Sequence, residues 1–214
     1  MCQVLKVKQE AKMGNVVQLR QTPSNENRKV TRKPVGGRRY LTEREVERLA
    51  EGAKKTGRYG DRDAALILLA YRHGLRVSEL VGLQWSQVDL AAALLHVTRA
   101  KNGTPAVHPV TARELRALRA LQRAANGSPF VFNTERGASM TTDNVRKVLS
   151  RAAEAAKLEG PSNPHALRHA CGFTLANKGT DTRTIQAYLG HRSIQHTVRY
   201  TELAPGRFKG LFSD

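Results

Sequence analysis

A helix drawn through residues 61–71 is apolar over most of its surface, because positions 64 to 70 carry only alanine, leucine and isoleucine. Such a helix leaves no broad face for water, so other elements have to cover it on all sides. Gly74 stands where it would end this helix, since glycine adopts the left-handed backbone of a helix terminus without strain. We therefore predict one principal core with this helix at its centre.

Further helices are predicted from capping residues and apolar spacing. Thr42 and Glu45 form a capping box that opens a helix running to about Lys55. Pro164 opens another helix, which Gly179 closes. The remaining helical segments are 77–83, 111–125, 142–156, 181–189 and a short one from Ser193.

Two short segments, 94–99 and 106–110, have the composition and alternation of strands, and Asn102-Gly103 lies between them. The Asn-Gly pair favours the primed turn of a tight hairpin. The sequence therefore predicts a two-stranded hairpin. The chain as a whole is predicted to be mainly α with a small antiparallel β-sheet, an α+β fold.

The net charge is +18, from 36 Lys and Arg against 18 Asp and Glu. Such an excess repels itself unless a polyanion is the usual companion, and nucleic acid is the first candidate. An anionic membrane is the weaker alternative, because no apolar run approaches the roughly 18 residues of a membrane span. Cys2 and Cys171 are the only cysteines and imply neither a disulfide framework nor a thiolate metal cluster. We expect a cytoplasmic, nucleoid-associated protein.

The first 39 residues form a basic arm. They hold ten Lys or Arg against Glu10 and Glu26, and they end with Arg38 and Arg39. In one interpretation the arm grips DNA through these arginines, and in the other it is a solvated or vector-derived leader.

Residues 204–214 form an apolar tail on a basic chain, with Phe208, Leu211 and Phe212. Two interpretations stay open for this tail. It docks on a neighbouring protomer, or it folds back onto its own core.

Side chains suited to a phosphodiester occur in four separate segments. They are Arg76, Lys101, His165 with Arg168, and His191 with Tyr200. Each is weak evidence alone, because most arginines, lysines and histidines are surface or structural residues. Together they are stronger, since His165 and Arg168 stand three apart on one predicted helix and share a face.

Two arginine forks are suited to the charge that builds on a pentacoordinate phosphorus, because each binds two phosphate oxygens. With Arg76 and Arg168 in that role, no metal is needed. The sequence shows no carboxylate cluster at a spacing for Mg²⁺ and no glycine-rich phosphate loop ending in Lys-Ser or Lys-Thr. We expect no metal and no cofactor.

The order and spacing of these residues resemble the phage integrase, or tyrosine recombinase, family. The resemblance covers about residues 40–212 and implies that residues 40–203 form that family's catalytic domain. It rests on His165-Ala-Leu-Arg168-His169, on Leu189-Gly190-His191, on Tyr200 nine residues after that histidine, and on Arg76-Val-Ser-Glu79-Leu80.

The resemblance implies a role for each matching residue. Tyr200 would be the nucleophile that leaves a 3′-phosphotyrosyl bond and a free 5′-hydroxyl. Arg76 and Arg168 would hold the scissile phosphate, while His165 assists proton transfer and His191 bonds a phosphate oxygen. The energy of the broken bond would stay in the tyrosyl link, so neither ATP nor metal is required.

Two further roles come with alternatives. Lys101 would protonate the leaving 5′-oxygen, and Lys147 and Lys157 are the other lysines that fit this role. Glu79, three residues after Arg76, would orient active-site side chains, and an ordinary ion pair within one helix is the competing interpretation.

His169 and Cys171 lie near these residues in sequence. A buried hydrogen bond is enough to explain His169, and packing as a small apolar side chain is enough to explain Cys171. We therefore predict no catalytic role for either residue.

The helix predicted over 142–156 has a polar face with Arg146, Lys147 and Arg151. It enters the major groove of DNA in one interpretation and is solvated in the other. Double-stranded DNA is the expected partner. The resemblance further implies four subunits around two DNA sites, and an accessory DNA-bending protein to compensate for a missing clamp domain.

The chain length, Arg199-Tyr200-Thr201 and the ending 207–212 resemble the short recombinases that invert promoter segments controlling fimbriae. The expected activity is site-specific recombination that inverts or integrates a DNA segment. One rival is a type IB topoisomerase, which would relax DNA without exchanging partners. The other is a non-catalytic DNA-binding regulator, which would leave the phosphate-binding residues unexplained.

Overall fold

The computed structural model describes residues 40–100 and 103–202, which contain eight α-helices, one short 3₁₀-helix (Trp85–Gln87) and three short strands. The strands are β1 (Val88–Asp89), β2 (Leu94–Val97) and β3 (Ala106–Pro109). The helices are α1 (Glu43–Lys55), α2 (Gly60–Arg72), α3 (Val77–Val81), α4 (Ala112–Ala124), α5 (Thr142–Ala155), α6 (Pro164–Asn177), α7 (Thr182–Leu189) and α8 (Gln195–Glu202). The predicted mainly α fold with a small antiparallel sheet is confirmed.

Most helices start where a side chain accepts a hydrogen bond from the backbone of the first turn, which satisfies an N–H that the helix leaves free. At α1, Thr42 and Glu45 form the predicted capping box. Pro164 occupies the first turn of α6, as predicted. The side chains that cap helices in this way are Thr42, Thr111, Thr141, Asn163 and Asp181.

The central position predicted for the apolar helix is confirmed. Residues 65–71 of α2 are all buried, and the helix packs against α1, α4 and α6. Gly74 follows it with a φ of +55°. A Cβ at Gly74 would collide with the Leu189 side chain, so this position also lets α7 approach the end of α2.

The sheet has three antiparallel strands in the order β1-β2-β3, where a two-stranded hairpin was predicted. Val97 pairs with Ala106, so residues 98–105 connect β2 to β3. The primed turn predicted at Asn102-Gly103 lies partly outside the described residues, because Asn102 is not among them. After β2, the Ala100 N–H donates to the Glu79 carboxylate, 2.9 Å away. A residue distant in sequence therefore anchors the backbone that follows this strand.

Several predictions fall outside the described residues. They concern the basic arm with Arg38 and Arg39, the tail 204–214, and Lys101. Within residues 40–100 and 103–202, no helix is long and apolar enough to cross a membrane.

Candidate active site

Five of the six predicted catalytic residues lie in the described part of the chain, on four different segments. Arg76 is the N-cap of α3, His165 and Arg168 are on α6, His191 follows α7, and Tyr200 is on α8. The ends of α2 and α7 meet α6 here, because Arg168 donates to the carbonyl of Gly74 and, at 2.6 Å, to that of Leu189. The fold thus brings together residues that are far apart in the sequence.

Arg76 is oriented by Glu79. Nη1 of Arg76 lies 2.7 Å from Oε1 of Glu79, and the Arg76 backbone N–H donates to Oε2 at 2.9 Å. Burial would raise the pKa of Glu79, but the hydrogen bonds from Arg76 and the charge of Arg99 lower it overall. Glu79 is therefore ionised, and the 27% exposed Arg76 side chain is left facing the site with donors to spare.

Arg168 is a buried cation held by backbone carbonyls. Burial, and then the charges of Arg76 and Arg99, lower its pKa to about 10, so it remains charged at neutral pH. An arginine carries five N–H donors in a planar fork. The bonds to Gly74 and Leu189 fix the plane of the guanidinium and leave other donors for an anion. This is a site built for negative charge.

The site histidines are neutral at neutral pH. Burial, then the charges of Arg168 and Arg76, lower the pKa of His191 to about 3. Nδ1 of His191 lies 2.9 Å from the Thr197 hydroxyl oxygen, which leaves Nε2 for a ligand. His165 is more exposed, and burial, then the charges of Arg199, Arg168 and Arg76, lower its pKa as well. Both imidazoles are therefore available as neutral hydrogen-bonding groups.

Tyr200 is enclosed by protein. The residue is 1% exposed, and its hydroxyl oxygen lies 2.9 Å from Nδ1 of His169. Its ring covers Gly172, where a Cβ would come within 2.7 Å of the ring's Cζ, and it meets Phe173 edge-on. Burial raises the pKa of Tyr200 even though the charges of Arg199 and Arg168 oppose the shift. The phenol is protonated and is shielded from solvent in this conformation.

Two residues of the site were not predicted. His169 was expected to make only a structural polar bond, and its partner proves to be Tyr200 itself. Arg99 was not singled out, yet its side chain is 0% exposed and bonds Glu79. A signal for Arg99 was present, because alternation along the strand predicted over 94–99 puts it on the same inward face as Leu95 and Val97. A charged residue on a core-facing strand position is uncommon without a specific partner.

Two of the three α5 residues predicted to bind DNA, Lys147 and Arg151, line a cleft of about 480 Å³. Tyr59 and Arg62 line it as well, while Arg146 is paired with Asp143 on the same helix, 2.5 Å away. Arg62 also stacks over the ring of Tyr59, 4.5 Å from its centroid. A basic and aromatic surface of this kind suits nucleic acid.

Cys171 is buried and its thiol lies 3.5 Å from the Arg72 carbonyl oxygen, as expected for a small core residue. Burial raises its pKa to about 12, so it is not a reactive thiolate. Among the residues whose placement is described, no cluster of three or more His, Cys, Asp or Glu is arranged to hold a metal ion.

Comparison with known proteins gives a consistent result. The phage integrase family matches residues 39–207 of the chain. The type 1 fimbriae regulatory protein FimE of Escherichia coli K12 is 42% identical over 181 residues, which cover 82% of this chain and 91% of FimE.

Solved structures give the same fold. The crystal structure of XerA recombinase superposes with a TM-score of 0.69 and 26% identity, covering 80% of this chain and 63% of that one. XerH site-specific recombinase bound to its palindromic difH substrate gives a TM-score of 0.68 at 21% identity, covering 79% of this chain and 51% of that one. The chain thus spans less than two thirds of each of these two recombinases.

Proposed function

The chain belongs to the phage integrase family, the tyrosine site-specific recombinases, and we propose that it cuts and rejoins double-stranded DNA through a 3′-phosphotyrosyl bond to Tyr200. The observation that carries this proposal is the convergence of two arginines and two neutral histidines beside that tyrosine. Arg168 donates to the carbonyl of Gly74, two residues before Arg76, and the charges of both arginines help to lower the pKa of His191. A dianionic phosphorane is the kind of species that such a cluster stabilises.

In the proposed cleavage step, the phenolic oxygen of Tyr200 bonds to phosphorus while the bond from phosphorus to the 5′-oxygen breaks. His165 assists removal of the phenolic proton, and Lys101 gives a proton to the leaving 5′-oxygen. Arg76, Arg168 and His191 bind the non-bridging oxygens. Attack by the 5′-hydroxyl of a partner strand then reverses the step, restoring a phosphodiester and the free tyrosine.

The enclosed position of Tyr200 adds a requirement to this mechanism. A hydroxyl that is bonded to His169 inside the protein has to leave that bond before it reaches a phosphate on DNA. We propose that α8 shifts when DNA binds, carrying Tyr200 away from Gly172 and towards the arginines. Residues 190–194, between α7 and α8, would absorb the change.

For the working assembly we propose four copies on two synapsed DNA sites, aided by a DNA-bending protein. The basic arm of residues 1–39 and the α5 surface would add phosphate contacts outside the catalytic domain, 40–203, and the tail 204–214 would dock on a neighbouring protomer. Inversion of a DNA segment is the outcome we propose, since the similarity to a type 1 fimbriae regulatory protein extends over most of the chain.

The test uses a nicked suicide duplex carrying a site selected from random DNA for binding to this chain. The protein is incubated with the duplex in EDTA, and adducts are resolved on a denaturing gel. The matched variants are Tyr200→Phe and Tyr188→Phe. Each loses one hydroxyl, and that of Tyr188 only donates to the Arg72 carbonyl.

We expect the wild type and Tyr188→Phe to form a covalent band in EDTA, and Tyr200→Phe to form none. Binding by the wild type without an adduct, or an adduct that survives in Tyr200→Phe, would overturn the proposal.

A further inference from the structure

Arg99 is a fully buried cation that the mechanism above does not use. It follows β2, and its side chain is 0% exposed, so it has no surface to offer to DNA. Burying an arginine costs free energy unless ionic and polar partners compensate. The partners of Arg99 therefore indicate its role.

The first partner of Arg99 is the carboxylate that also orients Arg76. Nη1 of Arg99 lies 3.0 Å from Oε2 of Glu79. The same oxygen accepts from the Arg76 backbone, while Oε1 accepts from the Arg76 side chain and from the Ala100 backbone. Four donors thus fill the carboxylate. Glu79 cannot rotate towards Arg76 or away from it without breaking its bond to Arg99.

The other partners are carbonyls at two helix ends. Nη2 of Arg99 donates to the carbonyl of His73, 3.3 Å away at the end of α2, and to that of Tyr188 in the last turn of α7. Arg168 bonds the next residue in each segment, Gly74 and Leu189. Two guanidinium groups therefore bridge the same two helix ends side by side, where helix carbonyls carry partial negative charge.

The stem of Arg99 also fits against the turn that leads to His191. Gly190 has a φ of +64°, and a Cβ there would come within 2.6 Å of Cγ of Arg99. A Cβ at Gly103 would meet Cβ of Arg99 at 2.8 Å, so Gly103 also lies against the same side chain. In the sequence, Lys101 lies between Arg99 and Gly103.

From these contacts we infer that Arg99 is a positioning residue for the recombination chemistry, which sets the placement of Arg76 through their shared carboxylate, Glu79. Arg99 would also hold the α2 and α7 ends at the spacing that Arg168 and His191 require. It touches no substrate in this arrangement. The inference rests on the proposed function and deepens it.

The experiment measures binding and chemistry separately on the suicide duplex, in single turnover with all DNA bound. Arg99→Lys keeps the positive charge but lacks the planar fork that bridges the carboxylate and two carbonyls. Arg99→Met keeps the aliphatic stem but removes both the charge and the hydrogen-bond donors. We expect the affinity for DNA to change less than about threefold and the cleavage rate to fall about 10-fold for Lys and about 100-fold for Met.

A double-mutant cycle with Arg76→Lys separates positioning from general destabilisation. If Arg99 acts through Arg76, the fold-losses in cleavage rate caused by the two substitutions do not multiply. Arg99→Met then slows an Arg76→Lys protein far less than it slows the wild type. Glu114→Gln is the matched control, since it alters another buried charge, whose partners are His73, Thr111 and Arg72. It should lower the melting temperature but leave cleavage of bound DNA unchanged.

The outcomes are distinguishable. An active wild type with unchanged cleavage in both Arg99 variants, or losses that multiply with that of Arg76→Lys, would overturn the inference and leave the proposed function intact. A wild type that binds the duplex and forms no adduct would overturn both. If Arg99→Met does not fold, Arg99→Lys alone decides by the same cycle.

Discussion

The hydroxyl oxygen of Tyr200 lies 2.9 Å from Nδ1 of His169, and Tyr200 is buried while His169 is partly buried. Burial, and then the charges of His165, Arg199 and Arg168, lower the pKa of His169 to about 4, while burial raises that of Tyr200. A neutral imidazole and a protonated phenol form an ordinary hydrogen bond. In the proposed mechanism, this bond holds Tyr200 in an unreactive state until DNA binding shifts α8.

His169→Phe should destabilise the protein, because it removes the 2.9 Å hydrogen bond between His169 and the buried Tyr200 hydroxyl. The expected loss in the free energy of unfolding is about 1–3 kcal/mol, measured by urea denaturation. In a Tyr200→Phe background the same change should cost much less, since no hydroxyl is left unpaired. An equal loss in both backgrounds would show that the hydrogen bond is not the cause.

Gly172→Ala should drive the Tyr200 ring out of its pocket, because the added Cβ would stand 2.7 Å from the ring's Cζ. Overpacking of this kind costs about 1–3 kcal/mol. Nitration by tetranitromethane, located by peptide mass spectrometry, should be faster at Tyr200 in the variant. Tyr188 in the same sample is the internal control, and its rate should not change. Equal Tyr200 rates in variant and wild type would contradict the enclosed position.

Stability should fall as the pH drops below about 6.5, through histidines that the fold keeps neutral. Burial, then the charges of His73 and Arg99, lower the pKa of His108 to about 3. The unfolded chain therefore binds the extra proton first, so the stabilisation is complete above about pH 7 and is lost as the pH falls from 6.5 towards 3.

The measurement is urea unfolding from pH 8 to 4.5. We expect a plateau above pH 7 and then a decline of at most about 1.4 kcal/mol per pH unit for each such histidine. His108→Gln should flatten the decline, and His96→Gln, at an exposed position of β2, should not. A wild-type stability that is constant down to pH 4.5 would contradict this account.

Lys147→Gln should weaken DNA binding evenly across sequences, because an exposed lysine beside the Tyr59 cleft is suited to phosphate rather than to bases. The slope of log affinity against log salt should become shallower by about 0.9. Lys178→Gln is the matched control, since Lys178 is exposed and lies 3.7 Å from Glu43. Identical slopes for Lys147→Gln and the wild type would remove Lys147 from the DNA-binding surface.

The parts of the fold that follow from local chemistry could be predicted from the sequence. The apolar run of α2, the Thr42 capping box and Pro164 at the start of α6 each act within a few residues, and each was predicted correctly. The candidate catalytic residues were predicted from their order and spacing and from the family resemblance, and their catalytic roles remain a proposal.

What the sequence did not predict depends on contacts between distant residues. After β2, Glu79 accepts hydrogen bonds from the Ala100 backbone and the Arg99 side chain, and no local sequence pattern predicts these contacts. The Tyr200 pocket exists because Gly172 has no side chain and His169 supplies a nitrogen one helical turn before it. A glycine or a histidine on a helix does not by itself reveal which residue it will meet.

The most direct test of the central claim is to identify the residue that becomes attached to DNA. The wild-type adduct formed on the suicide duplex in EDTA is digested with nuclease and protease, and the peptide carrying the nucleotide is sequenced by mass spectrometry. We predict a single modified residue, Tyr200, joined to the 3′-phosphate of the cleaved strand. Attachment at Tyr188 or any other residue, or at a 5′-phosphate, would contradict the account.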